Sequence, residues 1–133
     1  MQASEVLSKA LEFWGSGGER WVQRELGNNN VACLLGGLGH AIIGTAACYA
    51  HLGFDNDKHA YLDAMRFIWD ELEACGQLSP RFPKHTDDIE LLEDGLVIFN
   101  DESATNYSDV KQVVCGALTR ALKAEEETEQ ELL

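Results

Sequence analysis

Basic residues are scarce in this chain. Of its 133 residues only 10 are Lys or Arg, against 23 Asp or Glu, so the formal net charge is −13 and the sequence pI is about 4.5. A surface this acidic repels phosphate backbones, and we therefore expect no direct nucleic-acid binding. The same charge suits a basic protein partner.

Paired cysteine motifs are also lacking. The four cysteines, Cys33, Cys48, Cys75 and Cys115, stand singly beside apolar or small residues. The first residues show neither the basic region nor the apolar run of a signal peptide. We therefore expect buried free thiols in the reducing cytosol and a cytoplasmic protein.

Long, strongly apolar runs are few, and one segment needs a membrane test. Residues 31–50 contain no formally charged side chain and reach the length of a membrane span. Four glycines and His40 dilute its apolar content, and no basic cluster flanks it. A buried helix is the better interpretation, and we expect no membrane association.

Helical periodicity dominates what is present. The apolar spacing predicts a mainly α, compact single domain over 1–123 with four to five helices, followed by an acidic C-terminal tail over 124–133. A homo-oligomer is compatible with this pattern. The expected helices cover 4–14, about 35–52, 57–75, about 86–93 with Gly95 closing it, and a last one that begins near Asn106 or Ser108.

A small β-hairpin is predicted over about 20–34. Polar and apolar residues alternate over 20–26, the run 27–30 is a strong turn signal, and 31–34 could return as the second strand. Residues 96–99 are apolar and are likewise expected to be extended.

Three motifs invite a chemical interpretation. Gly37 and Gly39 match two glycines of a dinucleotide fingerprint, but Ile42 stands where the third belongs, so close helix packing is the better explanation. Cys48 and His51, with His59, could face a metal ion, although a fourth ligand is lacking. We therefore predict no metal site and no cofactor.

A cysteine–histidine pair is the third motif. Cys33 and His40, with Asn100 or Asp101 as the orienting group, contain the residue types of nucleophilic catalysis. Asn100 and Asp101 also have a structural explanation, because such side chains bond back to the turn that precedes a helix.

The acidic residues suggest a different function. A candidate interaction surface is formed by Asp87, Asp88, Glu90, Glu93 and Asp94, with the C-terminal glutamates beyond it. Such a band could imitate nucleic-acid phosphates and occupy the basic cleft of a DNA- or RNA-handling protein. The alternative is a solvated acidic face without a partner.

A family resemblance rests on three short segments. These are Trp21-x-Gln23, then Cys33-Leu34-Leu35-Gly36, and finally Phe99-Asn100-Asp101 before Asp109-Val110. Their order resembles a family of small actinobacterial and actinobacteriophage proteins of unknown function, over roughly 5–122. The chain departs from that family at Arg24, where the family has Gly, and at Phe99, where it has Trp. The resemblance implies a mostly helical cytoplasmic domain, encoded by a phage.

Two functional hypotheses follow. The first is a non-enzymatic acidic protein that acts through protein–protein interaction, as a phage-encoded modulator of a host factor, with nucleic-acid mimicry as its sharper version. The alternative is a small-ligand-binding protein or enzyme that uses a polar patch formed by Trp21, Gln23, His40, Asn100 and Asp101.

Overall fold

Five α-helices form the protein in a computed structural model that describes residues 1–53 and 57–132. They are α1 (Ala3–Trp14), α2 (Leu34–Ile43), α3 (Asp57–Ala74), α4 (Ile89–Ile98) and α5 (Tyr107–Leu132). No β-sheet occurs within these described ranges. The predictions of a mainly α fold and of four to five helices are therefore confirmed.

Helix α3 lies at the centre of the bundle and contacts each of the other four helices. Helix α1 packs against α2, α3 and α5, and α4 packs against α2 and α3. The apolar stripes that the sequence predicts face one continuous core, since side chains at helical spacing share one side of each helix. The largest fully buried side chains include Trp14, Tyr61, Met65, Ile68 and Trp69.

The predicted hairpin over 20–34 is wrong. This segment makes only two isolated β-bridges, a parallel one between Trp21 and Ala32 and an antiparallel one between Gly27 and Ala32. Arg24 interrupts any strand because its φ is 65°, in the left-handed region that non-glycine residues seldom adopt. The segment is an irregular loop whose polar groups bond to other parts of the protein.

The glycine-rich helix is shorter than predicted. Helix α2 ends at Ile43 because Gly44 adopts φ 80°, and its N–H bonds to the carbonyl of His40. A short 3-10 turn (Tyr49–His51) follows, where the sequence predicted a continuous helix to residue 52. Nowhere in the described parts of the chain is a helix both long and apolar enough to cross a membrane.

The segment 96–99 is helical and not extended. Gly95, which is expected to end a helix, lies within α4. A Cβ at this position would collide with the Trp69 ring, so the glycine serves the close approach of α4 to α3. Helix α4 then continues into a π-helical turn (Phe99–Ser103), which closes with a bond of 2.8 Å from Ala104 N to Phe99 O.

The acidic segment from residue 124 continues helix α5 as far as Leu132. The Glu125 carboxylate accepts two bonds from Ser4 at the start of α1, one from the hydroxyl at 2.6 Å and one from the backbone N–H at 3.2 Å. This contact fixes the last turns of α5 against α1, and the glutamates beyond Glu125 are exposed.

The four cysteines are free thiols, in agreement with the expectation that no disulfide forms. Their expected burial holds only for Cys33, since Cys48 is half-buried and Cys75 and Cys115 are exposed. Cys75 is exposed because it lies in the turn that follows α3, and Cys115 is exposed because it lies on the outer side of α5.

Candidate functional site

Four of the five residues predicted to form the polar patch meet in space. Trp21 and Gln23 from the irregular loop lie against Asn100 and Asp101 from the π-helical turn. We call these four residues the Asn100 cluster. They are separated by almost 80 positions in the chain, so the tertiary fold alone brings them together.

The side chain of Asn100 is fully buried and fully hydrogen-bonded. Its Oδ1 accepts from Trp21 Nε1 at 2.7 Å and from Leu34 N at 3.0 Å. Its Nδ2 donates to the carbonyl of Val22 at 3.2 Å and to Asp101 Oδ1 at 2.8 Å. An amide side chain has two donor hydrogens and two acceptor lone pairs, so these four bonds use its whole capacity.

The neighbouring polar groups complete the network. Gln23 Nε2 donates to the backbone carbonyls of Asn100 at 2.8 Å and of Ala104 at 3.0 Å. These two carbonyls lie near the start and just after the end of the π-helical turn. Asp101 Oδ1 also accepts the backbone N–H of Arg24 at 2.8 Å. This last bond holds Arg24 in its left-handed conformation.

The Asn100 cluster also caps helix α2. Leu34 is the first residue of α2, and its N–H would have no partner within the helix. One position earlier, the Sγ of Cys33 accepts from Gly36 N at 3.3 Å. Burial raises the pKa of the Cys33 thiol, which works against the thiolate form that a nucleophile requires.

His40 lies away from the cluster. It lies on α2, seven residues after the N-cap Cys33, and the helical rise separates the two backbones by about 10 Å. Its ring stacks on Phe13 with centroids 3.7 Å apart, and the Arg20 guanidinium lies over the same Phe13 ring. Cys33 and His40 therefore do not form the pair that nucleophilic catalysis needs.

The bonding of the Asn100 cluster gives it a structural role. It joins the irregular loop, the N-terminus of α2 and the π-helical turn through buried or half-buried hydrogen bonds. A ligand that used these groups would have to displace bonds that hold three segments together. The cluster therefore stabilises the fold through the same residues that the sequence marked as a patch.

The three candidate metal ligands do not come together at one point. Cys48 Sγ lies 3.5 Å from His51 Nδ1, but that nitrogen accepts the backbone N–H of Cys48 at 3.1 Å. His59 lies on α3, at the edge of a different surface groove. Within residues 1–53 and 57–132, no three His, Cys, Asp or Glu side chains are arranged to hold a metal ion.

The glycine motif serves close packing. A Cβ at Gly37 would collide with the Trp14 ring, and one at Gly39 would collide with the backbone of Ala47. Both glycines are buried inside α2. Helix α2 can approach its neighbours this closely only because these side chains are absent.

The candidate acidic surface divides into inward and outward carboxylates. Glu93 is an internal acceptor for Tyr49 N and Tyr61 Oη, both at 3.0 Å. The pKa of Tyr61 is raised well above its ordinary value, first by burial and then by this carboxylate. The half-buried Glu93 carboxylate is therefore already bonded to two groups of the protein itself.

The other four acids of that candidate surface lie on the outside. Asp88 is the N-cap of α4 and accepts from Leu91 N at 3.2 Å, while Asp87 forms an ion pair with Arg66 Nε at 2.9 Å. Glu90 and Asp94 are exposed and lie four residues apart on one side of α4.

A groove between α1, α3 and α5 is not among the features that the sequence predicts. One wall is the side of α3 that carries Asp63, Arg66, Phe67 and Asp70, and the other is the acidic end of α5. The i, i+3, i+4, i+7 spacing of those α3 residues was a readable signal for a single helix face. Only the fold shows that this face meets the last turns of α5.

Comparison of the chain with protein-family models, with curated proteins and with solved structures gives no match.

Proposed function

We propose that this protein is a non-enzymatic acidic protein that binds a basic protein partner. The observation that carries the proposal is the position of its glutamates. Glu129 and Glu131 lie at the end of α5, and the last turn of that helix contains no basic residue. The dipole of a helix disfavours negative charge at its C-terminus, so these side chains cost stability where they stand. A cationic partner surface would offset this unfavourable interaction, whereas the fold itself supplies no cation in that turn.

The charge density of this helix end supports nucleic-acid mimicry as the sharper version. Five glutamates lie between residues 125 and 131, on a helix that rises about 9 Å over that distance. This is about one negative charge per 2 Å, close to the value of about 1.7 Å for duplex DNA. A protein that handles DNA or RNA has a basic cleft matched to such a density.

The charge density favours one class of partner, a protein that handles nucleic acids. We propose that this partner is a host factor in the cytoplasm of the host and, from the family resemblance, that the protein is its phage-encoded modulator. Electrostatic attraction of this kind accelerates association and weakens as salt screens the charges. The binding is therefore expected to be salt-dependent.

A capture experiment tests this proposal. Immobilised protein is exposed to host lysate at low salt, and bound proteins are eluted with duplex DNA as a competitor. We expect a basic protein that DNA releases. A variant with Glu126→Gln, Glu127→Gln, Glu129→Gln and Glu131→Gln should retain less of it. Glu125 is left unchanged because it accepts two bonds from Ser4.

The control is His40→Ala, which removes a ring that stacks on Phe13 and leaves the acidic charge intact. It should retain as much partner as the original protein. Capture of no protein above background contradicts the proposal. Retention that neutralising the acids leaves unchanged contradicts it as well.

A further inference from the structure

The groove between α1, α3 and α5 has an apolar floor and an acidic rim. Its volume is about 620 Å³, and the floor is formed by Ala3, Ala60, Phe67 and Ala124, with Met1 at one end. Phe67 is half-buried and Met1 is 39% exposed, so both present apolar surface to an incoming side chain. We call this surface the α3–α5 groove.

The rim of the groove has a net negative charge. Four carboxylates line it, those of Asp63, Asp70, Glu125 and Glu129. The four carboxylates outnumber the two fixed cations there. These are Arg66, which forms ion pairs with Asp63 at 3.0 Å and with Asp87 at 2.9 Å, and the Met1 ammonium, which lies 3.7 Å from Asp57. The rim therefore offers unneutralised negative charge above an apolar floor.

The walls of the groove are held in place before any partner binds. The two bonds from Ser4 to Glu125 fix the end of α5 against α1. Glu129, one turn further along α5, is exposed. A groove that needs no rearrangement loses less free energy in ordering its own side chains on binding.

From this geometry we propose that the α3–α5 groove binds a basic amphipathic helix of a partner protein. The apolar side of that helix covers Phe67 and Met1, and its Lys or Arg residues meet the rim carboxylates. This inference rests on the proposed function and names the partner segment. A second copy of the chain is disfavoured because two molecules of charge −13 would bring like charges together.

A designed peptide tests the proposal directly. The probe is a fluorescently labelled peptide of about 18 residues, made only of Leu and Lys, with Leu at i, i+3, i+4 and i+7. Its Kd is measured by fluorescence anisotropy at low salt. We expect saturable binding, and chemical-shift changes in a ¹⁵N spectrum that centre on the groove residues.

Two charge reversals on one helix provide the matched comparison. Glu129→Lys places a cation on the rim and should raise the Kd by about tenfold or more. Glu127→Lys makes the same charge change about 160° around the same exposed helix end, away from the groove. It should change the Kd by less than about threefold. Circular dichroism checks that both variants remain folded.

A second peptide separates the groove from simple charge attraction. It has the same composition with Leu and Lys alternating, so that it forms no apolar helix face. We expect weaker binding. Equal binding of the two peptides, or equal losses from Glu129→Lys and Glu127→Lys, would overturn the groove and leave the acidic protein partner standing.

The remaining outcomes also decide the question. No binding of either peptide at low salt would overturn the groove, and the capture experiment then decides the proposed function separately. A homodimer that protects the groove residues would overturn the basic-helix proposal, since the occupant would then be a second copy.

Discussion

The Asn100 cluster and the α3–α5 groove are built on opposite principles. In the cluster, every hydrogen-bonding group of the Asn100 amide has a partner, and the side chain is fully buried. In the groove, carboxylates stand at an exposed helix end where the helix dipole disfavours them. The first region increases the free energy of unfolding, and the second lowers it.

This difference separates stability from binding. Residues whose bonds are all made within the protein have little left to offer a partner, whereas exposed charges over an apolar floor do. Substitutions in the cluster should therefore lower the free energy of unfolding without changing what the folded form binds. Substitutions on the rim should weaken binding and leave the free energy of unfolding equal or slightly higher.

The largest expected effect is that of Asn100→Ala. The buried groups Trp21 Nε1 and Leu34 N would lose their acceptor, and an unsatisfied buried group costs about 1–3 kcal/mol. We expect the free energy of unfolding, measured by urea denaturation, to fall by about 3 kcal/mol. The exposed control Asp94→Asn should change it by less than about 0.5 kcal/mol. If Asn100→Ala lowers the free energy of unfolding by less than about 1 kcal/mol, the structural role of the cluster is contradicted.

The next effect concerns the close packing of α2 beside the cluster. Gly37→Ala would drive a methyl group into the buried Trp14 ring, and overpacking of a core costs about 1–3 kcal/mol. We expect a loss of about 2 kcal/mol in the same urea experiment. Gly116→Ala is the matched control, because its methyl group meets the flexible Glu71 side chain and the loss should be smaller. Equal losses for the two variants would contradict the claim that the buried Trp14 ring makes Gly37→Ala costly.

A smaller effect is expected where the cluster holds Arg24 at φ 65°. The left-handed conformation costs a residue with a Cβ about 1–2 kcal/mol, which exceeds the entropic cost of glycine. Arg24→Gly should therefore raise the free energy of unfolding by about 0.5 kcal/mol in thermal unfolding. Arg24→Ala keeps the strain and should give no gain, so an equal gain from both variants would speak against strain at this position.

The smallest effect lies on the rim of the groove. Glu129 has like-charged neighbours three and four residues earlier, Glu126 and Glu125, and such helical pairs are destabilising by about 0.2–0.5 kcal/mol. Glu129→Gln should raise stability by about 0.5 kcal/mol at low salt while weakening peptide binding. The gain should shrink at high salt. For Glu127→Gln it should be smaller, because Lys123 lies four residues earlier. A loss of stability for Glu129→Gln would contradict the comparison.

Helical periodicity was sufficient to predict most of the fold. Helices α1 and α3 begin and end within one residue of their predicted bounds, since their apolar stripes repeat over several turns. The failures fall at glycines and polar turns. Gly44 ends a helix and Gly95 does not, because the first adopts φ 80° and the second only makes room for Trp69.

The sequence predicts part of the candidate site correctly, because residue type and position beside a turn are local properties. Trp21, Gln23, Asn100 and Asp101 were recognised as polar or aromatic residues beside turns, and they do meet. His40 was grouped with them but lies on the far part of α2, against Phe13. Residue type indicates which side chains need a partner, but it does not indicate which partner the fold supplies.

The sequence alone determined the helical class, the net negative charge and the acidic end of the last helix, because these depend on composition and on local periodicity. Tertiary structure decided that Asn100 is a buried structural residue, that Glu93 accepts a bond from Tyr61, and that Asp63 and Asp70 line one groove with Glu125 and Glu129. Those relations join residues far apart in the chain, and only the packing of complete helices brings them within contact.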